Sequence, residues 1–224
     1  MADIYCIRHA ESEMNLKPYL VGGRSNHALL TPRGVEQAVL LGKRLRKEGI
    51  HFDKVYSSPA VRAVETARGV CREIGFSLDD IVLCDALMEL DQGKWQGAVR
   101  KEVYTPEVYR VIDADNWNFR SPGGESPKEV EERMYGCVEK IVQGLPPDAK
   151  VAVFSHGVAI KCLLRRIMDF SPNMTYRISL DNTAITLISY VDGRWYPRKI
   201  NDSSHLRREE VEYNCAMYIR YAAR

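Results

Sequence analysis

Arg8, His9, Arg62, Glu89 and His156 stand out by type and by where they fall. Arg8-His9 follows the apolar run Ile4-Tyr5-Cys6-Ile7. Ser57-Ser58-Pro59, with Arg62 just behind, follows Lys54-Val55-Tyr56. Glu89 comes soon after Ile81 to Cys84, and Ser155-His156-Gly157 follows Val151 to Phe154. A single histidine at such a place is usually a hydrogen-bonded structural residue. The chain has only five histidines, and two follow strongly apolar runs, so the set carries more weight than its members. The chemistry that suits it is phosphoryl transfer through a phosphohistidine. Neutral imidazole is a nucleophile, and a pKa of ~6.5 leaves much of it neutral at pH 7. A phosphate monoester is close to a dianion and needs fixed positive charge on its oxygens. Arg8 and Arg62 supply permanently charged forks. His156, on a turn entering a helix, adds an imidazole donor beside that helix's positive end. Glu89 can protonate a leaving oxygen when it carries a proton.

Those residues need elements that bring them together. Short apolar runs alternate with helical periods along the chain. Ile4 to Ile7, Lys54 to Tyr56, Ile81 to Cys84 and Val151 to Phe154 read as strands, the last central in a parallel sheet. Thr31-Pro32 starts a helix carrying Val35, Ala38, Val39, Gly42 and Leu45, with Gly49 at its end. Ser58-Pro59 opens a second by the same device, ended by Gly75. Ser126-Pro127-Lys128-Glu129 is a capping box before a helix that ends at Gly144. A further helix spans Gly157 to Met168, Asp192-Gly193 marks a hairpin, and 207–224 reads as a final helix. The stretch from Asp85 to Glu125 has no clean period. The pattern predicts one α/β domain, a three-layer α/β/α sandwich over 1–224. Its central sheet is mostly parallel, helices cover both faces, and a cap-like insertion spans about 90–125. In such sheets ligands bind beyond the carboxyl ends of the strands, where the set above falls.

Arg8-His9-Ala10-Glu11 resembles the signature of the histidine phosphatase superfamily, the phosphoglycerate mutase-like family, and the resemblance spans nearly the whole chain. Gly23-Arg24 with Leu30-Thr31-Pro32-Arg33-Gly34 is similar to the next family segment, and the blocks from Tyr56 to Ala67 and from Glu89 to Gly97 follow in order. Pro122-Gly123-Gly124-Glu125-Ser126, Phe154-Ser155-His156-Gly157, Asp181-Asn182-Thr183 and Asn201 to Leu206 also fit. The resemblance implies that His9 is the phosphorylated nucleophile and Glu89 the proton donor, then the base that activates water. It implies that Arg8, Arg62 and His156 line the phosphate pocket. Asn15, Arg24, Ser58 and the backbone of Gly157 match positions that bind the substrate. No cofactor and no metal are implied, because arginines neutralise the charge that magnesium handles elsewhere. Two departures stand out. Ala10 replaces a commoner glycine, and Glu89 is followed by Leu90 where cofactor-dependent mutases carry arginine. The second favours a phosphomonoester hydrolase for small phosphorylated metabolites over its alternatives, a phosphoglycerate mutase-type phosphomutase or an inactive phospho-ligand binding module. Against the module, all five of the residues named first are present.

Composition narrows the rest. The 224 residues carry 32 Lys plus Arg against 30 Asp plus Glu, a net charge of +2. That is too balanced for a duplex-binding protein, so no nucleic-acid partner is expected. No apolar run approaches the ~20 residues of a membrane span, and Arg8-His9 interrupts the first apolar run at once. These readings predict a soluble, cytoplasmic protein without a membrane partner. The six cysteines lack C-x-x-C spacing and read as scattered buried thiols. No cysteine phosphatase loop, G-x-S-x-G or G-x-x-x-x-G-K is present. Asp113-Ala114-Asp115 reads as a solvated turn. Between 95 and 120, Trp95, Tyr104, Tyr109, Trp117 and Phe119 interleave with Arg100, Lys101, Arg110 and Arg120. Most of these rings should pack the cap, with one or two meeting the organic part of the substrate. The tyrosine-bearing tail from Val211 to Tyr221 packs on the body or forms a homodimer contact.

Overall fold

The computed structural model describes residues 1–206. The helix and homodimer contact expected of the tail, and Cys215, lie outside the described residues. The apolar runs form β1 (Ala2–Arg8), β2 (Lys54–Ser57), β3 (Ile81–Leu83) and β4 (Lys150–Ser155), followed by the hairpin β5 (Ile185–Val191) and β6 (Arg194–Asp202). They make one six-stranded sheet in the order β3-β2-β4-β1-β5-β6. The first four run parallel; β5 is antiparallel to β1, and β6 to β5. β4 lies between β2 and β1 and is buried from Val151 to Ser155, as a continuously apolar strand must be.

The main helices are α1 (Pro32–Lys47), α2 (Val61–Ile74), the short α3 (Arg100–Val103), α4 (Pro106–Ala114), α5 (Pro127–Gln143) and α6 (Gly157–Met168). Strand side chains alternate between faces, which sorts the core into two layers. Ile4, Cys6, Val151 and Val153 pack with Val130, Met134 and Val138 of α5 and Ile160 and Leu163 of α6. Tyr5, Ile7, Ala152 and Phe154 pack with Leu41 and Leu45 of α1 and Ala67 and Val70 of α2. Each fully buried Leu, Ile or Phe contributes ~1.5–3 kcal/mol, so both faces are needed to hold the sheet.

The caps form largely where the sequence puts them. The Thr31 side chain accepts from the Gly34 amide at 2.9 Å, with Pro32 in the first turn. Gly34 also permits a close approach: a Cβ there would sit 2.0 Å from the Glu11 carbonyl oxygen. Ser126 and Glu129 make the reciprocal capping box. Gly75 ends α2 in the left-handed conformation, at φ +75°. Ser58-Pro59 behaves otherwise. The N-cap of α2 is Ala60, with no side-chain cap, and the Ser58 hydroxyl accepts from the Ala60 amide at 3.3 Å and from His156 at 2.8 Å.

The stretch without a period contains 3-10 turns at Asp85–Leu87 and Gly93–Trp95, then α3 and α4. Asp113 and Asp115 are exposed as expected, but Asp113-Ala114 is the last part of α4 rather than a turn, with Asp115 as its C-cap. Cys6, Cys71 and Cys162 are buried and separate, but Cys84 and Cys137 meet with their Sγ atoms 3.2 Å apart. The sequence reading treated them as scattered; the docking of α5 against the end of β3 joins them. Among the described residues, no helix is long and apolar enough to cross a membrane.

Candidate active site

A cleft of about 410 Å³ opens beyond the carboxyl ends of the parallel strands, and Arg8, His9, Asn15, Arg62 and Glu89 all line it. His9 follows the last residue of β1. Its amide donates to the Ser155 carbonyl at the end of β4, so two adjacent central strands fix its backbone. The ring Nδ1 lies 2.7 Å from the Ala10 carbonyl. A carbonyl only accepts, so Nδ1 carries the proton and Nε2 is left with its lone pair. Burial, then the charges of Arg62 and Arg8, push the His9 pKa well below its usual value. The imidazole is therefore neutral at pH 7, the form that can act as a nucleophile.

Arg62 reaches the same space from the first turn of α2. One terminal nitrogen donates to the carbonyls of Arg24 and Ser25 at 2.7 and 2.9 Å, and the other meets His156 Nδ1 at 2.9 Å. Burial lowers its pKa to about 10, with Glu89 opposing and Arg8 adding to the shift, so it stays charged at pH 7. Because Arg62 donates to Nδ1, His156 holds its proton on Nε2 and donates to Ser58 Oγ at 2.8 Å. Burial and Arg62 push the His156 pKa well down too. The Arg8 guanidinium donates to the Leu180 carbonyl at 2.5 Å, and its buried Nε–H has no hydrogen-bond partner. A buried charged donor left in that state is a cost that an anion would relieve. Asn15 turns its Oδ1 to the amide and hydroxyl of Ser12 at 2.9 and 3.0 Å, so its side-chain NH2 is left to donate.

Glu89 sits against the start of α6. Its carboxylate accepts from the amides of Leu90, Val158 and Ala159 at 2.9, 3.1 and 3.1 Å. The helix N-terminus thus holds an acid at the rim of the cationic end. The loop that carries it hangs on Arg133 of α5. That guanidinium donates to the carbonyls of Ala86, Met88 and Glu89 and to both oxygens of Glu125. Burial alone would raise the Glu125 pKa, but hydrogen bonds and charge from Arg133 outweigh it and the carboxyl is held low.

Of the residues predicted from sequence, the structure brings Arg8, His9, Asn15, Arg62 and Glu89 to the cleft surface. His156 and Ser58 are fully buried behind Arg62, at 0% exposure. Gly157 opens α6 beneath Glu89. Arg24 lies at the rim, with its guanidinium 3.5 Å from Asp91 and 3.3 Å from Glu125.

Three positioning roles are not assigned by the motifs themselves. Thr66 accepts from the Ala10 amide at 2.9 Å and donates to the Arg62 carbonyl at 2.6 Å, which ties the two arms of the site together. Asn182 donates to the His9 carbonyl at 2.9 Å, and the Thr183 amide donates to that of Arg8. Thr183 adopts φ +58°, costly for a β-branched residue, and is held there by His205. Asn201 and Ser203 anchor Asp181 in the same turn. The late Asn201 to His205 block thus supports the backbone of Arg8-His9 from behind. Arg133 is the third feature. Its neighbours on α5 read as an ordinary amphipathic stripe, and nothing local marks it as more than a surface charge. For Thr66 and Asn182 the available signal was the presence of small polar residues inside apolar or turn blocks.

A cationic pocket around a neutral imidazole, at the strand ends of an α/β/α sandwich, is a site suited to a phosphate group. The chain belongs to the histidine phosphatase superfamily (branch 1), whose family model matches residues 4–203. It is similar to a broad-specificity phosphatase of Saccharomyces cerevisiae, 30% identical over 207 residues, covering 91% of this chain and 86% of the relative. It is also similar to a probable phosphoglycerate mutase of Salmonella, 28% identical over 197 residues, covering 87% of this chain and 88% of the relative. The fold matches a phosphoserine phosphatase of Entamoeba histolytica, solved with phosphoserine, at a TM-score of 0.79 and 24% identity, covering 92% of this chain and all of the other.

Proposed function

We propose that the protein hydrolyses phosphate monoesters of small metabolites through a phosphohistidine on His9. The observation that carries this reading is the His9 ring: neutral, fixed by Nδ1–H on the Ala10 carbonyl, and lining the cleft with Arg8 and Arg62. In the first step His9 Nε2 attacks phosphorus, the bond to the ester oxygen breaks, and Glu89 gives that oxygen a proton. In the second, Glu89 takes a proton from water as the water attacks phosphorus. The N–P bond breaks, and free phosphate leaves with His9 restored. Arg8 and Arg62 hold the equatorial oxygens, with Asn15 adding amide donors. His156 and Ser58 act from behind, keeping the Arg62 fork aimed. Arg24 and Gly157 serve the rim and the helix start that hold Glu89. The segment 90–125 acts as a cap over the organic half of the substrate. The name of the yeast relative supports a hydrolase.

The name of the Salmonella relative favours a second reading, a mutase, against which Leu90 stands where mutases of this family carry arginine. One assay separates them. The purified protein is expected to hydrolyse an aryl phosphate at the same rate with and without chelator, and to form no 2-phosphoglycerate from 3-phosphoglycerate. Isomer formation faster than phosphate release would replace the hydrolase by the mutase, and strong loss of rate in chelator would sink the metal-free scheme.

A further inference from the structure

Away from the phosphate end the cleft changes character. One wall is built by Tyr104 after α3, Tyr109 and Ile112 on α4, and Phe119 beyond it; Tyr176 joins them from the turn before β5. The rings brace one another. Trp95 backs Tyr104 at 5.2 Å and Phe119 at 5.9 Å between centroids, and Tyr104 faces Tyr109 at 5.8 Å. Tyr109 is 44% exposed, so this wall offers open surface rather than a filled core. Such surface prefers another ring, stacked or edge-on.

Charge supplies the second observation. Of the basic residues interleaved with these rings in the sequence, Arg110 is paired with Glu107 at 3.8 Å and Arg120 with Glu129 at 2.9 Å. Among the described residues lining the cleft, Arg100 is the one cation beyond Arg8 and Arg62. Its guanidinium donates to the Pro18 and Leu20 carbonyls and lies over the Tyr104 ring at 5.2 Å. Arg24 does not line the cleft, its guanidinium lying 3.5 Å from Asp91 and 3.3 Å from Glu125, and Glu89 and Glu125 do line it. A substrate carboxylate or second phosphate placed here would lose water and meet cations already engaged by carbonyls or carboxylates.

We infer that the alcohol half of the substrate is an uncharged, flat, apolar group of about one ring, an aromatic or aryl-alkyl alcohol and not a hydroxy acid. This rests on reading the cleft as a phosphomonoester site. The cleft volume of about 410 Å³ suits a phosphate plus one such group, near the lower end of the ~300–1,000 Å³ usual for small-molecule sites.

Binding of stable phosphonates to the full chain tests this apart from turnover. By calorimetry, 2-phenylethylphosphonate is expected to bind at least ~10-fold more tightly than 3-phosphonopropionate, the scale on which apolar contacts discriminate. Tyr109→Ala is expected to cut that ratio about fivefold, and Tyr109→Phe to keep it. Tyr109 is largely exposed, so these variants fold. Equal or tighter binding of the carboxylated ligand would overturn the inference, as would an unchanged ratio in Tyr109→Ala. If 2-phenylethyl phosphate bound with this preference but was not hydrolysed, the hydrolase reading would fall and the aromatic wall would stand. Turnover without the preference would do the reverse.

Discussion

Replacing Arg133 with methionine keeps the apolar stem and removes a guanidinium that donates to five acceptors. Three of these are carbonyls in the loop leading to Glu89, and two are the oxygens of Glu125. The Arg133 and Glu125 side chains are 18% and 20% exposed, so water replaces little of what is lost. Removing one partner of a buried charge pair costs ~3–5 kcal/mol. Arg24 still lies 3.3 Å from Glu125, which places the cost at the lower end, ~3 kcal/mol. For a chain of this size that lowers Tm by about 6–12 °C. The Glu89 backbone would also lose its anchor, and a displacement near 1 Å at a reacting group costs ~100-fold in rate. Alkyl phosphates, whose leaving oxygen needs a proton, should suffer more than aryl phosphates. Arg133→Lys keeps the charge but not the fork and should recover part of the stability with less of the rate. Thermal unfolding at pH 7 and kcat on both ester types measure the two effects. A Tm within 2 °C of the parent (about the shift of 1 kcal/mol), with unchanged turnover of alkyl esters, would refute Arg133 as the support of the Glu89 loop.

Two further perturbations follow from the same geometry. Glu89→Gln should slow hydrolysis of alkyl phosphates by ~10²–10⁴-fold and of aryl phosphates far less, because a good leaving group needs little protonation; equal losses would remove Glu89 as the acid. His205 has a buried Nδ1 without a partner, while its Nε2–H donates to Thr183. Burial and the charge of Arg44, opposed by Asp202 and Glu48, push its pKa down to about 4. The unfolded chain binds this proton near pH 6.5, so the contribution is complete above that pH and is lost as pH falls towards 4, up to about 3 kcal/mol. Stability measured against pH should lose that part of its acid slope in His205→Gln. An identical slope in the variant would show that this site is not linked to folding.

The elements that could be read from the sequence are those whose signals are local. The cap at Thr31-Pro32, the capping box of Ser126 and Glu129, the apolar run of β4 and the Asp192-Gly193 hairpin each depend on residues a few positions apart. Even the Thr105-Pro106 start of α4 carries the Thr31-Pro32 signal, but α4 is only nine residues long and buries none of them. Ser58 also holds His156, and local patterns do not report a partner 98 residues away. The cluster at the strand ends was legible because parallel sheets deliver every such end to one side. Its support was not, because Arg133, Thr66 and Asn182 act across 44 to 173 positions of sequence. The cations between 95 and 120 show the same limit. Their number is visible in the sequence, but the pairing of Arg120 with Glu129 appears only in three dimensions.

The central claim is that His9 carries the phosphoryl group. The direct measurement mixes the protein with phosphate-labelled substrate, quenches in alkali within one turnover, where phosphohistidine survives, and maps the label. The account predicts label on His9, formed and discharged at rates that match steady turnover, and no label in His9→Ala. Label on another residue, or full turnover in His9→Ala with no covalent label, would contradict it.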